Sequence, residues 1–269
     1  MSESAAGGEP LIRAEDVTVR FGGLKALDGV TFDIARDEIF GIIGPNGAGK
    51  STLINVLSGI YGASRGQIFF EGRKLAGLKP HMAVRRGIVR TFQNSRLFTD
   101  LSVLDNVLIG MHSRMKGGVL DAALWRRHTR RDLAWGSEEA IELLRELSPT
   151  LVDRRHARAG ELPQADKRRV EIARAMASDP RLLMLDEPSA GMDVEDTERL
   201  VADIKRLKSE RPGLSVVVIE HDMALMRTLP DRVMVLNYGE LIALDTFENA
   251  VQVEAVREAY LGHKEAEHA

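Results

Sequence analysis

The sequence predicts an α/β fold: a mostly parallel sheet carrying a glycine-rich loop, an antiparallel β-subdomain and an inserted α-helical subdomain. Three observations predict it. A wholly apolar run, Ile39–Ile43, leads into the glycine-rich stretch Gly44–Thr52 and then a helical pattern. A second apolar run, Leu182–Leu185, ends in Asp186-Glu187-Pro188. Between them, from about Ser95 to Ala177, strand patterning vanishes and charge rises.

The elements follow in order. Residues 1–10 read as a flexible leader. Val17, Val19 and Phe21 alternate with Thr18 and Arg20, and Val30, Phe32 and Ile34 alternate with Thr31 and Asp33, as in half-buried strands. Ile39–Ile43 is apolar throughout, as in a strand covered on both faces. Leu53, Val56, Leu57 and Ile60 recur at helical spacing, with Ser58-Gly59 at the helix end, and Gly66–Gly72 reads as a short strand. Ile141, Leu144 and Leu147 suggest an amphipathic helix in the region that holds Trp125 and Trp135. Strands return at Leu182–Leu185 and Val216–Ile219, with Leu200, Ile204 and Leu207 on one helix face between them. Val233–Leu236, the turn Asn237–Glu240 and Leu241–Leu244 form a hairpin pattern. The last helix has Val253, Val256 and Tyr260 on one side. The expected organisation is a core of residues 11–94 and 178–261, a helical subdomain of residues 95–177 and a polar tail at 262–269.

A chain of 269 residues with 44% hydrophobic and 29% charged composition can bury a substantial core. Its net charge of −3 gives no reason to expect nucleic acid. The absence of cysteine excludes disulfides, thiolate metal sites and cysteine nucleophiles. The opening MSESAAGGEP lacks the basic start and apolar core of a secretory signal. No apolar run approaches the ~20 residues that span a bilayer, so any membrane role runs through a partner. The basic clusters Arg126-Arg127-His128, Arg130-Arg131 and Arg154-Arg155-His156 read as solvated helix faces, with an anionic membrane leaflet as the alternative contact.

The chemistry begins at Gly44-Pro45-Asn46-Gly47-Ala48-Gly49-Lys50-Ser51-Thr52, which fits G-x-x-x-x-G-K-[ST]. Binding a triphosphate takes many short-range donors. Glycines let consecutive backbone N–H groups curl inward, and the helix that follows adds its positive end. Lys50 reaches the β- and γ-phosphates, and the Ser51 hydroxyl can ligate Mg²⁺. Asp186, at a strand tip, is placed to hold Mg²⁺ opposite Ser51. Glu187, one step on, is a candidate general base that polarises a water for attack on the γ-phosphate. His221, just past the Val216–Ile219 strand, is a candidate γ-phosphate sensor; a surface or helix-capping histidine is its alternative. Gln93 can accept from Mg²⁺-bound water and donate to the nucleophilic water. Its weight comes from order along the chain: phosphate loop, glutamine, acid pair, histidine.

That order resembles the ATPase subunits of ATP-binding-cassette (ABC) transporters, over nearly the whole chain. The resemblance implies a P-loop NTPase core and ATP with Mg²⁺ as ligands. It also implies a dimer of ATPase subunits and a transmembrane permease as partner, at the cytoplasmic face of the inner or plasma membrane. Phe21 falls where the family stacks an aromatic ring on adenine. Ser189–Asp193 looks like the loop that signals across the dimer, and Gln93 falls where the membrane partner is felt. Within the family, Arg20–Leu27, Val89–Gln93 with Leu97-Phe98, Val170–Ala175 and Ala259–Gly262 resemble the branched-chain amino-acid importer ATPases. Lipopolysaccharide-export ATPases share some of these phrases.

One departure matters. The family's signature is close to L-S-G-G-Q, and here the register gives Leu162-Pro163-Gln164-Ala165-Asp166. In the family this segment grips the γ-phosphate held by the other subunit. Pro163 removes a hydroxyl and a backbone N–H, Ala165 adds a Cβ, and Asp166 adds negative charge. The bland alternative has Asp166 capping the next helix and Pro163 in its first turn. The expectation is an intact phosphate site on this chain, a damaged contribution to its partner's, and therefore a heterodimer. The alternative is a nucleotide-binding regulatory subunit with little turnover.

Overall fold

The computed structural model describes residues 9–75, 79–91, 97–114 and 126–266. In chain order they form β1 (Ile12–Phe21), β2 (Leu24–Ile34), β3 (Ile39–Ile43), α1 (Lys50–Leu57), β4 (Arg65–Phe70), β5 (Arg73–Lys74), α2 (Pro80–Arg85), β6 (Ile88–Arg90), α3 (Val103–Gly110) and α4 (Arg126–Leu147). Then come α5 (Pro149–Asp153), α6 (Gln164–Met176), β7 (Leu182–Asp186), α7 (Val194–Glu210), β8 (Ser215–Ile219), α8 (Met223–Thr228), β9 (Arg232–Asn237), β10 (Glu240–Asp245), α9 (Phe247–Ala250) and α10 (Glu254–Ala266). They gather into two compact units, Met1–Ala83 with Gly213–Ala269, and Val84–Pro212.

The first unit holds an antiparallel sheet in the order β2-β1-β4-β5. Its strands run longer than the alternating cores of their sequence, and the alternation breaks within β1. The register slips between Ala14 and Val17, where Asp16 sits at φ 49 and its N–H donates to Thr31 Oγ1 at 2.9 Å. The bulge buries Val17, Thr18 and Val19 together, so Thr18 faces inward and its hydroxyl accepts from Gly29 N. The other strands of this unit centre on β3, which pairs in parallel with β8 and β9, while β10 runs antiparallel beyond β9. Every residue of β3 and β8 is buried, which is why both read as unbroken apolar runs. The β9–β10 hairpin turns at Tyr238-Gly239, with φ 46 and 83 as a primed turn requires. Two further expectations give way here. Helix α1 ends at Leu57, leaving Ile60 outside it and exposed. Val253 precedes α10 and is exposed, while Val256 is buried.

In the second unit β6 and β7 pair in parallel, and the remaining elements are helical. Ser102 caps α3 by accepting from Asp105 N, and Asp193 caps α7 by accepting from Asp196 N. The α4 stripe is Ala140, Leu143, Leu144 and Leu147; Ile141 is only half-buried, so the inward face is turned slightly from the one the sequence suggests. On α7, Leu200, Ile204 and Leu207 are each 1% exposed, each contributing ~1.5–3 kcal/mol relative to exposure. Arg154-Arg155-His156 lies after α5 rather than on a helix face, with both arginines half-buried. Arg126–Arg131 opens α4. Among the described residues no helix is long and apolar enough to cross a membrane.

Candidate active site

The phosphate loop leaves the carboxyl end of β3. Gly44, Gly47 and Gly49 have φ of 150, 79 and 103. A Cβ on Gly49 would lie 2.5 Å from Ala26 O, so close packing against β2 leaves room for glycine alone. A Cβ on Gly47 would meet nothing within 4 Å: the loop's mouth is open there. Asn46 and Ser51 are exposed, Pro45 and Ala48 are buried, and Thr52 is half-buried. Gly49 is the N-cap of α1, whose first-turn N–H groups lack intrahelical acceptors and face an incoming anion. Lys50 is buried, and its Nζ donates to Gly44 O at 2.6 Å and Pro45 O at 2.9 Å. A cation thus sits within a curl of backbone, at a helix N-terminus, beside an exposed hydroxyl. This donor set fits a polyphosphate and an oxygen-seeking divalent ion.

Two further residues of the same unit bear on this loop. Because β3 and β8 pair in parallel, with Ile42 opposite Ile219, the loop and His221 leave the same edge of the sheet. His221 is exposed, and its backbone N–H donates to the carboxylate of buried Glu220. Asp222 caps α8 through Ala224 N and Leu225 N, so the capping role belongs to the aspartate. Tyr260 of α10 was not singled out by sequence as a site residue. Its phenol hydrogen-bonds with the Gly44 backbone, and burial pushes its pKa up to about 12 against the opposing effect of that bond. Phe21 ends β1 at 46% exposure and packs edge-on against Tyr61, its ring available for stacking.

The acids close β7 in the second unit. Asp186 is buried, and its Oδ2 accepts from Arg90 Nη2 at 2.6 Å. Glu187 is half-buried and has φ 48, a left-handed conformation uncommon outside glycine. Its carbonyl accepts from Arg168 Nη2 at 3.0 Å and from Ala190 N at 3.2 Å. Gln93 lies outside the described residues. Among those described, no group of three or more His, Asp or Glu side chains could hold a metal by themselves.

The Leu162–Asp166 segment takes a definite form. Helix α6 begins at Gln164, with Pro163 at the N-cap and no side-chain cap. Asp166 is therefore the third helical residue, not the cap, and Pro163 stands one position before the first turn. Asp166 is held by Arg154 at 3.5 Å and Arg169 at 3.4 Å, with Arg169 also bound to Asp203 at 2.8 Å. Its charge is thus countered within the subdomain and by the helix N-terminus. Leu162 and Ala165 are buried, so the added Cβ packs inside the unit, while Pro163 and Gln164 are exposed. Sequence reasoning missed the Arg90–Asp186 and Arg168–Glu187 links. Arg168 stands in a basic run and Arg90 is a lone arginine after an apolar pair, and the acceptors of both are distant in sequence.

A parallel-edge phosphate loop, an acid pair closing a buried strand and a helical subdomain define a nucleotide-hydrolysing cassette. A family model described as ABC transporter matches residues 27–190, and the chain belongs to this family as an ATPase cassette. It is 39% identical over 253 residues to the high-affinity branched-chain amino acid transport ATP-binding protein BraF of Pseudomonas aeruginosa, covering 94% of this chain and 98% of that one. It is 37% identical over 254 residues to LivG of Escherichia coli K12, a protein of the same description, with the same coverage of 94% and 98%. Among solved structures it resembles the ADP conformation of MJ1267, an ATP-binding cassette of an ABC transporter. There the TM-score is 0.80 at 30% identity, over 95% of this chain and 100% of that one. A dimeric post-hydrolysis state of the cassette MJ0796, bound to ADP and Pi, matches with TM-score 0.68 at 26% identity, over 88% of this chain and 98% of that one.

Proposed function

We propose that this chain is the ATP-hydrolysing subunit of an importer for branched-chain or related amino acids, working at the cytoplasmic face of the membrane on a transmembrane permease. The observation that carries the reading is the loop itself: an open mouth at Gly47, with the Lys50 ammonium resting on the Gly44 and Pro45 carbonyls. The relatives named for branched-chain amino acid transport support the substrate class. The residues Gly44–Thr52 hold the phosphates, Phe21 stacks on the adenine, and Ser51, Asp186 and Gln93 would hold Mg²⁺, which would supply positive charge to the triphosphate. Glu187 takes the proton of the attacking water, and His221 contacts the γ-phosphate.

The working unit is a dimer with a second ATPase subunit, as the dimeric MJ0796 cassette supports. The Leu162–Asp166 segment makes it asymmetric. Pro163 offers neither hydroxyl nor N–H, and each lost charge-assisted bond costs ~1.5–3 kcal/mol. This chain's phosphate loop is then completed by a partner bearing an intact signature. ATPase activity of the chain alone and mixed with that partner tests this, followed by leucine uptake in vesicles holding the permease. Cooperative hydrolysis by the chain alone would remove the heterodimer. The same departure favours one second reading, a regulatory subunit, for which the assembled complex would show negligible turnover.

A further inference from the structure

Arg168 is 2% exposed, although α6 opens at an exposed end. Its guanidinium is used on three sides. Nη1 meets Glu171 Oε2 at 2.8 Å, Nε donates to Pro188 O at 3.0 Å, and Nη2 donates to Glu187 O at 3.0 Å. The two carbonyls belong to the consecutive residues that follow β7. Glu187 lies at φ 48, a conformation a non-glycine residue keeps only where its surroundings over-determine it. A rigid planar fork suits two neighbouring carbonyls in a way a lysine ammonium cannot, and its charge strengthens both bonds. Glu171, itself 3% exposed, balances that charge in the interior.

We propose that Arg168 is a positioning residue for ATP hydrolysis. It holds the Glu187–Pro188 backbone in the left-handed turn from which the Glu187 carboxylate is aimed, while Glu171 orients the guanidinium. The inference rests on Glu187 being the general base. A base displaced by about 1 Å loses on the order of 10²-fold in rate, so an arginine that never touches nucleotide can still govern turnover. Affinity for Mg·ATP draws on Phe21, Gly44–Thr52 and the Mg²⁺ ligands rather than on the Glu187 carboxylate, and is retained.

The test uses the full chain in the complex with which it purifies, carrying Arg168→Met, Arg168→Lys, Glu187→Gln, or Arg168→Met with Glu187→Gln. The expected result for Arg168→Met is a kcat at least tenfold lower with Kd for Mg·ATP within twofold. In the Glu187→Gln background the same change lowers residual turnover less than twofold, because the residue it positions is already disabled. Arg168→Lys keeps a cation opposite Glu171 but cannot span both carbonyls; it lowers kcat at least threefold and carries the test should Arg168→Met not fold. Equal fold-losses in both backgrounds, or an Arg168→Lys kcat within twofold of the parent, would overturn the proposal. Full turnover in Glu187→Gln alone would instead remove the base assignment beneath it.

Discussion

Two alanine substitutions in the phosphate loop separate folding from binding. Gly47 and Gly49 both have left-handed φ, 79 and 103, so each Ala pays a strain of ~1–2 kcal/mol. At Gly47 nothing lies within 4 Å of the new Cβ, so strain is the whole cost to stability. At Gly49 the Cβ would lie 2.5 Å from Ala26 O and 2.9 Å from Leu27 Cδ2. That carbonyl cannot retreat easily, because β2 is pinned beside it by Asp28 N donating to Gly239 O at 2.8 Å. Overpacking adds ~1–3 kcal/mol, giving ~2–5 kcal/mol for Gly49→Ala against ~1–2 for Gly47→Ala. Each kcal/mol corresponds to about 2–4 °C in Tm for a chain of this size. Nucleotide binding runs in the opposite order. The Gly47 methyl intrudes on the open mouth, so Gly47→Ala folds nearly as the parent does yet binds Mg·ATP about tenfold or more weakly, ~1.4 kcal/mol per decade. Thermal unfolding with Mg·ATP titration measures both. Equal Tm losses in the two variants, or parental affinity in Gly47→Ala, would refute the reasoning.

Further expectations attach to other parts of the molecule. Arg90→Met strands the Asp186 carboxylate, since both side chains are close to buried; it should cost ~3–5 kcal/mol by denaturant unfolding, and a loss below about 1 would contradict the pair's role. Tyr260 has a folded pKa of about 12, raised above the ordinary phenol value. Stability is therefore fully present below pH ~10 and is lost as pH rises towards 12. Tyrosinate absorbance should show a late step near pH 12 that Tyr260→Phe removes, and an unchanged titration in that variant would count against it. Ile204→Ala, at a position 1% exposed on α7, should cost ~2–5 kcal/mol in the same unfolding assay. Glu187→Gln should trap an ATP-bound dimer visible by size exclusion, and a monomer with unchanged turnover would contradict its role.

The parts of the fold that show in the sequence share one property. Both faces, or one clean face, of the element are buried against neighbours. That is why β3, β7, β8 and the Leu200–Leu207 face of α7 were legible from hydrophobic pattern alone. Thr18 was misplaced because a bulge at Asp16 resets the alternation, and no local pattern announces a bulge closed by Thr31 across the hairpin. Ile60 was misplaced because helical spacing persists past the point where the chain turns out of α1. The phosphate loop was legible because its glycines, lysine and serine are contiguous. The supports of the acid pair were not, because Arg90 lies 96 residues from Asp186 and Arg168 lies 19 from Glu187. The departure of Leu162–Asp166 from the family's pattern is visible in the sequence, but the packing of that segment is not. Sequence placed Asp166 at the cap, whereas the fold puts it in the first turn between two arginines.

The central claim is that the Gly44–Thr52 cradle grips a nucleoside triphosphate through Lys50, and titration calorimetry of Mg·ATP into the parent chain and Lys50→Ala examines it most directly. Losing a charge-assisted contact worth ~1.5–3 kcal/mol predicts affinity weaker by roughly tenfold to a hundredfold, with the fold retained. Undiminished affinity in Lys50→Ala would contradict it.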